Sequence, residues 1–352
     1  MSTDIISVDK EDLPPTVQSP NKNEVLVEPD QKQDQWKIGE AINLIVGAGI
    51  FIAPGSTWRL VQSPGAALIL WIIGGVINLY GFLVWRLSEK GPFESTAYGF
   101  AFNNQLFRFL FGFATVNIII PAAIIANSFI ASKYLLYAIQ GADGEEFNHY
   151  GKDFGSYFGN DFIALRLIAV ALLGIITAYH MLAIRSKHVS YAVCLNQVLV
   201  VFKVVSLLVL SLYGLLKAND PSFSSSIKNN WNGAFNHTLS NNYSYPRTAS
   251  ESIGGYGNAL LQVYSSIELR EECAYRKYSA LVRVCVSFIL YILVNVAFIS
   301  IVDPKVVADP NNANESIAID YGIRLFGDFG RKYMSYLIAI SSFSSMDSMV
   351  LL

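Results

Sequence analysis

Charge is scarce in this chain. Asp, Glu, Lys and Arg make up 15% of its 352 residues, where soluble domains carry about 25%. A net charge of −2 points to no nucleic-acid partner. Cysteine is scarcer still: Cys194, Cys273 and Cys285 are the whole supply, too few and too irregularly placed for a disulfide framework. They read as small apolar residues in or beside helices. No H-E-x-x-H cluster, G-x-S-x-G elbow or Walker loop occurs, so neither a metal, a cofactor nor an enzyme's chemistry is called for. The opening residues also lack an apolar leader run. Residues 1–36 are rich in Asp, Glu, Pro, Gln and Asn and read as a disordered tail.

What the chain has instead is apolar length. It is 53% hydrophobic, with a mean hydropathy of +0.38. Runs such as AALILWIIGGVINLYGFLVW (66–85) and IALRLIAVALLGIITAYHML (163–182) reach the ~20 residues that cross a ~30 Å hydrocarbon core. The expected fold is an all-α polytopic membrane protein. Its spans are drawn at 38–60, 66–87, 108–139, 162–182, 189–216, 254–268, 281–302 and 332–352. The third is long and contains Pro121, which predicts a tilted or kinked helix rather than two.

Three features agree on orientation. With the tail in the cytoplasm, the short loop 183–188 lies inside and carries Arg185, Lys187 and His188. The loop 140–160 then lies outside with Asp143, Glu145, Glu146 and Asp153, as the positive-inside rule requires. The three sequons, at Asn236, Asn242 and Asn314, all fall in outside loops and are glycosylation candidates.

The stretch NLIVGAGIFIAPG (43–55) is costly inside a span. Each interior Gly costs a helix about 1 kcal/mol relative to Ala, and Pro about 3. Unwound backbone at membrane depth survives only where it lines a cavity or is buried in protein. There, freed N–H groups at a half-helix start suit a carboxylate. Gly47, Ala48 and Gly49 therefore form a candidate cradle, with Ile45 before it and Ile50 and Phe51 opening the second half-helix. Pro54-Gly55 a turn later fits a break better than a GxxxG-type packing face, the competing reading. The sixth span supplies a second candidate break. IGGYGNALLQVYSS (253–266) has three glycines near its start, and Tyr264, Ser265 and Ser266 lead into charged residues. Lys203 stands midway along the fifth span. A lysine there costs roughly 2.5–3.5 kcal/mol and is a functional candidate by default, against the plainer reading of a lysine satisfied by nearby carbonyls. Asn78, Asn117, Asn127, His180, Asn196 and Asn295 read as hydrogen-bonding glue between helices.

These motifs carry a resemblance. IGEAINLIVGAGIFIAPG and SPGAALILWIIGGVINLYG, then NSFIASKYLLYAI, NQVLVVFKVVSLLVL, NNWNGAF and GYGNALLQV, resemble the amino acid–polyamine–organocation superfamily, nearest its L-type and fungal methionine permease branch. The resemblance covers residues 37–352. It implies a secondary amino acid carrier, for methionine or other large neutral amino acids, with a five-plus-five inverted repeat and alternating access. The first repeat would be 37–216, followed by an extracellular loop 217–253 and a second repeat 254–352. It places the substrate carboxylate on Gly47, Ala48 and Gly49, and the amino group near Tyr264, Ser265 and Ser266. Ile267 stands near the expected gating aromatic. Lys203 falls where sodium sits in cation-coupled relatives, implying proton coupling or exchange. The loop 140–160 has no cysteine, so no disulfide-linked heavy chain is expected.

Two departures stand. SIELREECAYRKYS (266–279) lacks the family's Gly-Trp pair; either this run sits at the cytoplasmic surface or residues are missing from it. The chain also has about eight spans where the family has ten core helices, which implies a truncated second repeat. The alternative function is therefore a non-transporting amino acid sensor or an inactive paralogue.

Overall fold

The structure, a computed structural model, describes residues 46–87, 105–140, 160–185, 189–218, 220, 230–235, 249–267, 277–308 and 316–351. Ile45, Cys273, the tail and the sequons at Asn236, Asn242 and Asn314 lie outside these. All regular structure among the described residues is helical. The helices are α1 (Gly49–Val61), α2 (Pro64–Leu87), α3 (Gln105–Ala114), α4 (Ile120–Gln140), α5 (Asn160–Arg185), α6 (Val189–Lys217), α7 (Ala249–Ile267), α8 (Lys277–Ile301), α9 (Pro304–Ala308) and α10 (Ile317–Leu351). A helix thus occupies each of the eight expected stretches. Gly112–Ile139, Ile163–Arg185 and Cys194–Lys217 are long and apolar enough to cross a membrane unaided, and Pro64–Tyr80 and Cys285–Ile301 are shorter apolar stretches.

Local chemistry sets the helix ends. Gln62 takes the left-handed conformation (φ 58°) that closes α1, and its N–H donates to the Trp58 carbonyl at 2.8 Å. Ser63 then caps α2 by accepting the Ala66 N–H at 3.2 Å, with Pro64 in the first helical position, where its missing N–H costs nothing. Between α3 and α4, Thr115–Ile119 forms a π-helical turn. Pro121 explains it: the ring has no N–H and crowds the carbonyl four residues back, so the helix widens by one residue and continues. The expected single deformed helix is what forms. α10 is broken at Gly327 (φ 61°, ψ −141°). Asp328 restarts it, and hydrogen bonds from Arg331 and Lys332 hold the Asp328 carboxyl below the usual range.

The NNWNGAF segment fastens the end of the bundle near the α1–α2 turn. Buried Asn230 donates to the carbonyls of Ile299 and Val302 at 2.7 and 2.9 Å, acceptors left over at the end of α8. The Ala234 carbonyl accepts from Gly65 N–H at 2.8 Å and Ser63 Oγ at 2.6 Å. Arg59 Nε reaches the Val307 carbonyl at 2.9 Å, so α9 joins the same end.

Three helix pairs form the centre, each joining a helix to the one five spans later, and each antiparallel. Along α1 and α7, Gly49 meets Ser266 while Ser56 meets Gln262. Along α2 and α8, Trp71 stacks on Tyr291 at 5.0 Å while Gly75 meets Phe288. Along α4 and α10, Asn127 meets Met349 while the Tyr137 ring lies 5.4 Å from the Arg331 guanidinium. Glycine sets how closely these helices approach. A Cβ on Gly75 would lie 2.0 Å from the Phe288 ring, whereas one on Gly112 would meet nothing within 4 Å.

These two glycines should respond oppositely to alanine. Gly75→Ala forces α2 and α8 apart, at a cost on the order of 1–3 kcal/mol, and lowers the melting temperature in detergent. Gly112→Ala leaves it unchanged or raises it, by up to about 1 kcal/mol of helix propensity. Equal melting temperatures for the two variants would refute the packing described.

Candidate functional site

α1 begins at Gly49, inside the expected cradle, after bends at Val46 and Gly47 and a turn at Ala48. Ala48 already holds helical angles (φ −63°, ψ −21°), and its carbonyl accepts the Phe51 N–H at 3.1 Å. Ala48 makes no side-chain cap, and the first turn carries no acidic residue. The leading N–H groups of the helix are therefore not neutralised by the side chains that usually do so. Ala48 is buried, Ile50 and Phe51 are fully buried, and Gly47 and Gly49 are half-buried. One expectation fails here: Pro54-Gly55 makes no break, because α1 runs through both. Gly55 serves contact instead, since a Cβ there would lie 2.9 Å from that of Ile317. Ser316 Oγ donates to the Phe51 carbonyl, so the start of α10 lies along α1.

Two serines close on the glycines. A Cβ on Gly49 would meet Ser266 Oγ at 3.3 Å, and one on Gly47 would meet Ser345 Oγ at 3.3 Å. α7 and α10 thus flank the unwound segment. Ser266 Oγ turns back to the Gln262 carbonyl at 2.8 Å, and Ser345 Oγ to the Ser341 carbonyl at 3.0 Å. Ser341 lies one turn before Ser345 on the same face. It is fully buried, and its hydroxyl has no partner among the described residues.

The sixth span behaves differently from expectation. Gly254 and Gly257 sit inside an unbroken α7, with nothing within 4 Å of a Cβ at either, so its early glycines mark no break. They lie on an open side of the helix. α7 ends at Ile267, and residues 268–276 lie outside the described residues. Of the predicted residues, Ser266 faces the site, while Tyr264 (37% exposed) and Ser265 lie on the exposed side. The Ser266 carbonyl already accepts from the buried Tyr291 hydroxyl at 2.7 Å, which leaves it one lone pair.

Lys203 is fully buried on a stripe of α6 that includes Asn196, Val200, Leu207 and Leu210. Contacts bracket it on that helix. Asn196 Oδ1 accepts from Ser348 Oγ at 3.0 Å, Ser206 Oγ from the Tyr333 hydroxyl at 3.2 Å, and the Leu210 carbonyl from the Tyr321 hydroxyl at 2.6 Å. The lysine therefore stands on a helix side fastened to α10 along its length.

The expectation of polar glue holds for Asn196, His180 and, through a long contact to sulfur, Asn127. Asn196 bonds α10, and His180 Nε2 lies 2.8 Å from Asp347 Oδ1. Asn78, Asn117 and Asn295 donate to the carbonyl four residues back in their own helices. Asn127 does likewise, with a 4.0 Å approach to the Met349 sulfur. An amide that finds a carbonyl one turn away along its own helix needs no neighbour. The sequence reading missed Ser341, Ser345, Tyr291 and Asp347. The run SSFSSMDSM (341–349), unusually polar for a span, was the available signal.

A helical membrane protein with an uncapped half-helix start lined by serines is the class these features define. The chain belongs to the amino acid permease family, whose family model matches residues 38–351. Its activity is accordingly amino acid transport, and it is an integral membrane protein.

The packing predicts steric coupling across the site. Gly49→Val should drive a side chain into Ser266 and weaken ligand binding. The loss of one charge-assisted hydrogen bond is worth about 1.5–3 kcal/mol, roughly ten- to a hundredfold. Gly49→Ala/Ser266→Gly should bind close to wild type in the same equilibrium assay. A double variant as weak as Gly49→Val would refute the contact.

Proposed function

We propose that the chain carries methionine or other large neutral amino acids across the plasma membrane by alternating access. The observation that carries this reading is the uncapped start of α1 between Ser266 and Ser345. A substrate carboxylate would receive the N–H groups of the Gly47-Ala48-Gly49 segment and Ile50, and the helix dipole adds to the attraction. Its ammonium group would lie toward the C-terminal end of α7, where carbonyls gather near Ser265 and Ser266. Ile45 and Ile267 would border the side chain.

The antiparallel pairing of α1 with α7, α2 with α8, and α4 with α10 supports an inverted repeat. Its units would be residues 37–216 and 254–352, with eight crossings and the 1–36 tail in the cytoplasm. The three sequon loops then face outward. Lys203 is the proposed coupling residue. A fixed cation in that position replaces a metal ion's charge, so uptake would run with protons or by exchange, without sodium.

Reconstitution of the full chain with labelled methionine tests this. Saturable uptake should persist when choline replaces sodium, and leucine should compete. Lys203→Met should lose concentrative uptake while equilibrium binding is retained. Strict sodium dependence would overturn the coupling assignment. Binding without flux would overturn the carrier reading and leave the amino acid sensor.

A further inference from the structure

His180 on α5 and Asp347 on α10 form a second polar centre, on residues outside the substrate contacts proposed above. Both are buried, at 5% and 1% exposure, and Nε2 to Oδ1 is 2.8 Å. The partner of Oδ1 on the same carboxylate, Oδ2, is buried with no hydrogen bond among the described residues. An ionisable pair inside a bundle of membrane helices is costly and marks function by default. Its carboxylate also holds an acceptor site in reserve.

The pair is connected to the binding segment through α10. Ser345, two positions from Asp347, faces Gly47, and Ser348, the next residue, bonds Asn196 on α6. One helix therefore joins the unwound segment, the lysine-bearing helix and this pair. A change at Asp347 that shifts α10 would be felt at Gly47.

The titratable surroundings are sparse. Tyr179 meets the His180 ring edge-on at 5.5 Å between centroids. α4 carries Lys133, which lies over the Tyr134 ring at 5.9 Å, and α6 carries Lys203, two turns beyond Asn196. α1 carries no titratable side chain from Val46 to Trp58. α8 brings Tyr291, whose hydroxyl is bonded to the Ser266 carbonyl. Neither His180 nor Asp347 makes a second ion pair among the described residues.

We propose that His180 and Asp347 together bind and release the transported proton, resting on the carrier reading above. With Asp347 ionised and His180 neutral, the pair bears one negative charge. A proton from water adds to the imidazole nitrogen or to the carboxylate, forming one N–H or O–H bond and leaving the pair neutral overall. The same bond breaks on release to water at the opposite face.

The test is proton movement beside amino acid movement, in liposomes holding the full chain and an internal pH dye. Wild type should acidify the interior as methionine enters. Asp347→Asn and His180→Gln should lose acidification while retaining methionine exchange, and Asp347→Glu should restore it. Wild-type proton-to-methionine ratios in Asp347→Asn would overturn the proposal. If wild type moves no methionine, the carrier reading fails, and the pair is then read by infrared titration of the detergent-solubilised protein. A protonated-carboxyl band that titrates in wild type and vanishes in Asp347→Asn supports the proton site. A band unchanged in that variant overturns it.

Discussion

The start of α1 is the constraint on which the rest of the molecule depends. Backbone N–H groups freed at membrane depth must be surrounded by protein or face a lined cavity, and here the cap residue, Ala48, has no side chain to bond them. Keeping the segment buried without capping it needs neighbours close enough to exclude lipid, yet small enough to leave room. Ser266 and Ser345 meet that need, each 3.3 Å from where a Cβ on the facing glycine would lie. Their positions depend in turn on the seams behind them. Gly74 admits Val263 of α7, Gly75 admits Phe288 of α8, and Gly214 admits the Tyr321 hydroxyl. Small residues at helix contacts, which let backbones approach in a medium where burial of apolar surface drives nothing, therefore build the site at second hand.

The place where α1 begins was legible in the sequence because glycine in a span has a stated cost and few reasons to be there. GAG marked the place where α1 begins, and Ile50 and Phe51 do open the helix. The same reasoning misled at Pro54-Gly55 and at Gly254 and Gly257. A glycine states that space or backbone freedom is used, not which. At Gly55 the use is contact with Ile317; at Gly254 and Gly257 the side is open. Pro54 sits in an α1 that continues through it. The eight helical stretches were legible from apolar length, and Pro121 from its missing N–H.

What the sequence could not disclose was partnership across helices. Six polar residues in spans look alike on paper, yet among the described residues Asn78, Asn117 and Asn295 bond within their own helices, whereas Asn127, Asn196 and His180 reach α10. The difference lies in which face each residue occupies after packing. Ser341 and Ser345 were hidden for the same reason, since serines are common in spans and bond back to the preceding turn. Lys203 was conspicuous from its charge alone, and its full burial on the face fastened to α10 gives that charge its setting.

The most direct measurement is equilibrium binding of methionine and of methioninol, which keeps the ammonium group and side chain but lacks the carboxylate, to the purified full chain. The uncapped α1 start should bind methionine and lose methioninol by roughly ten- to a hundredfold or more, the worth of a charge-assisted hydrogen bond. Equal affinities would contradict carboxylate recognition at Gly47–Ile50 and remove the basis of the account.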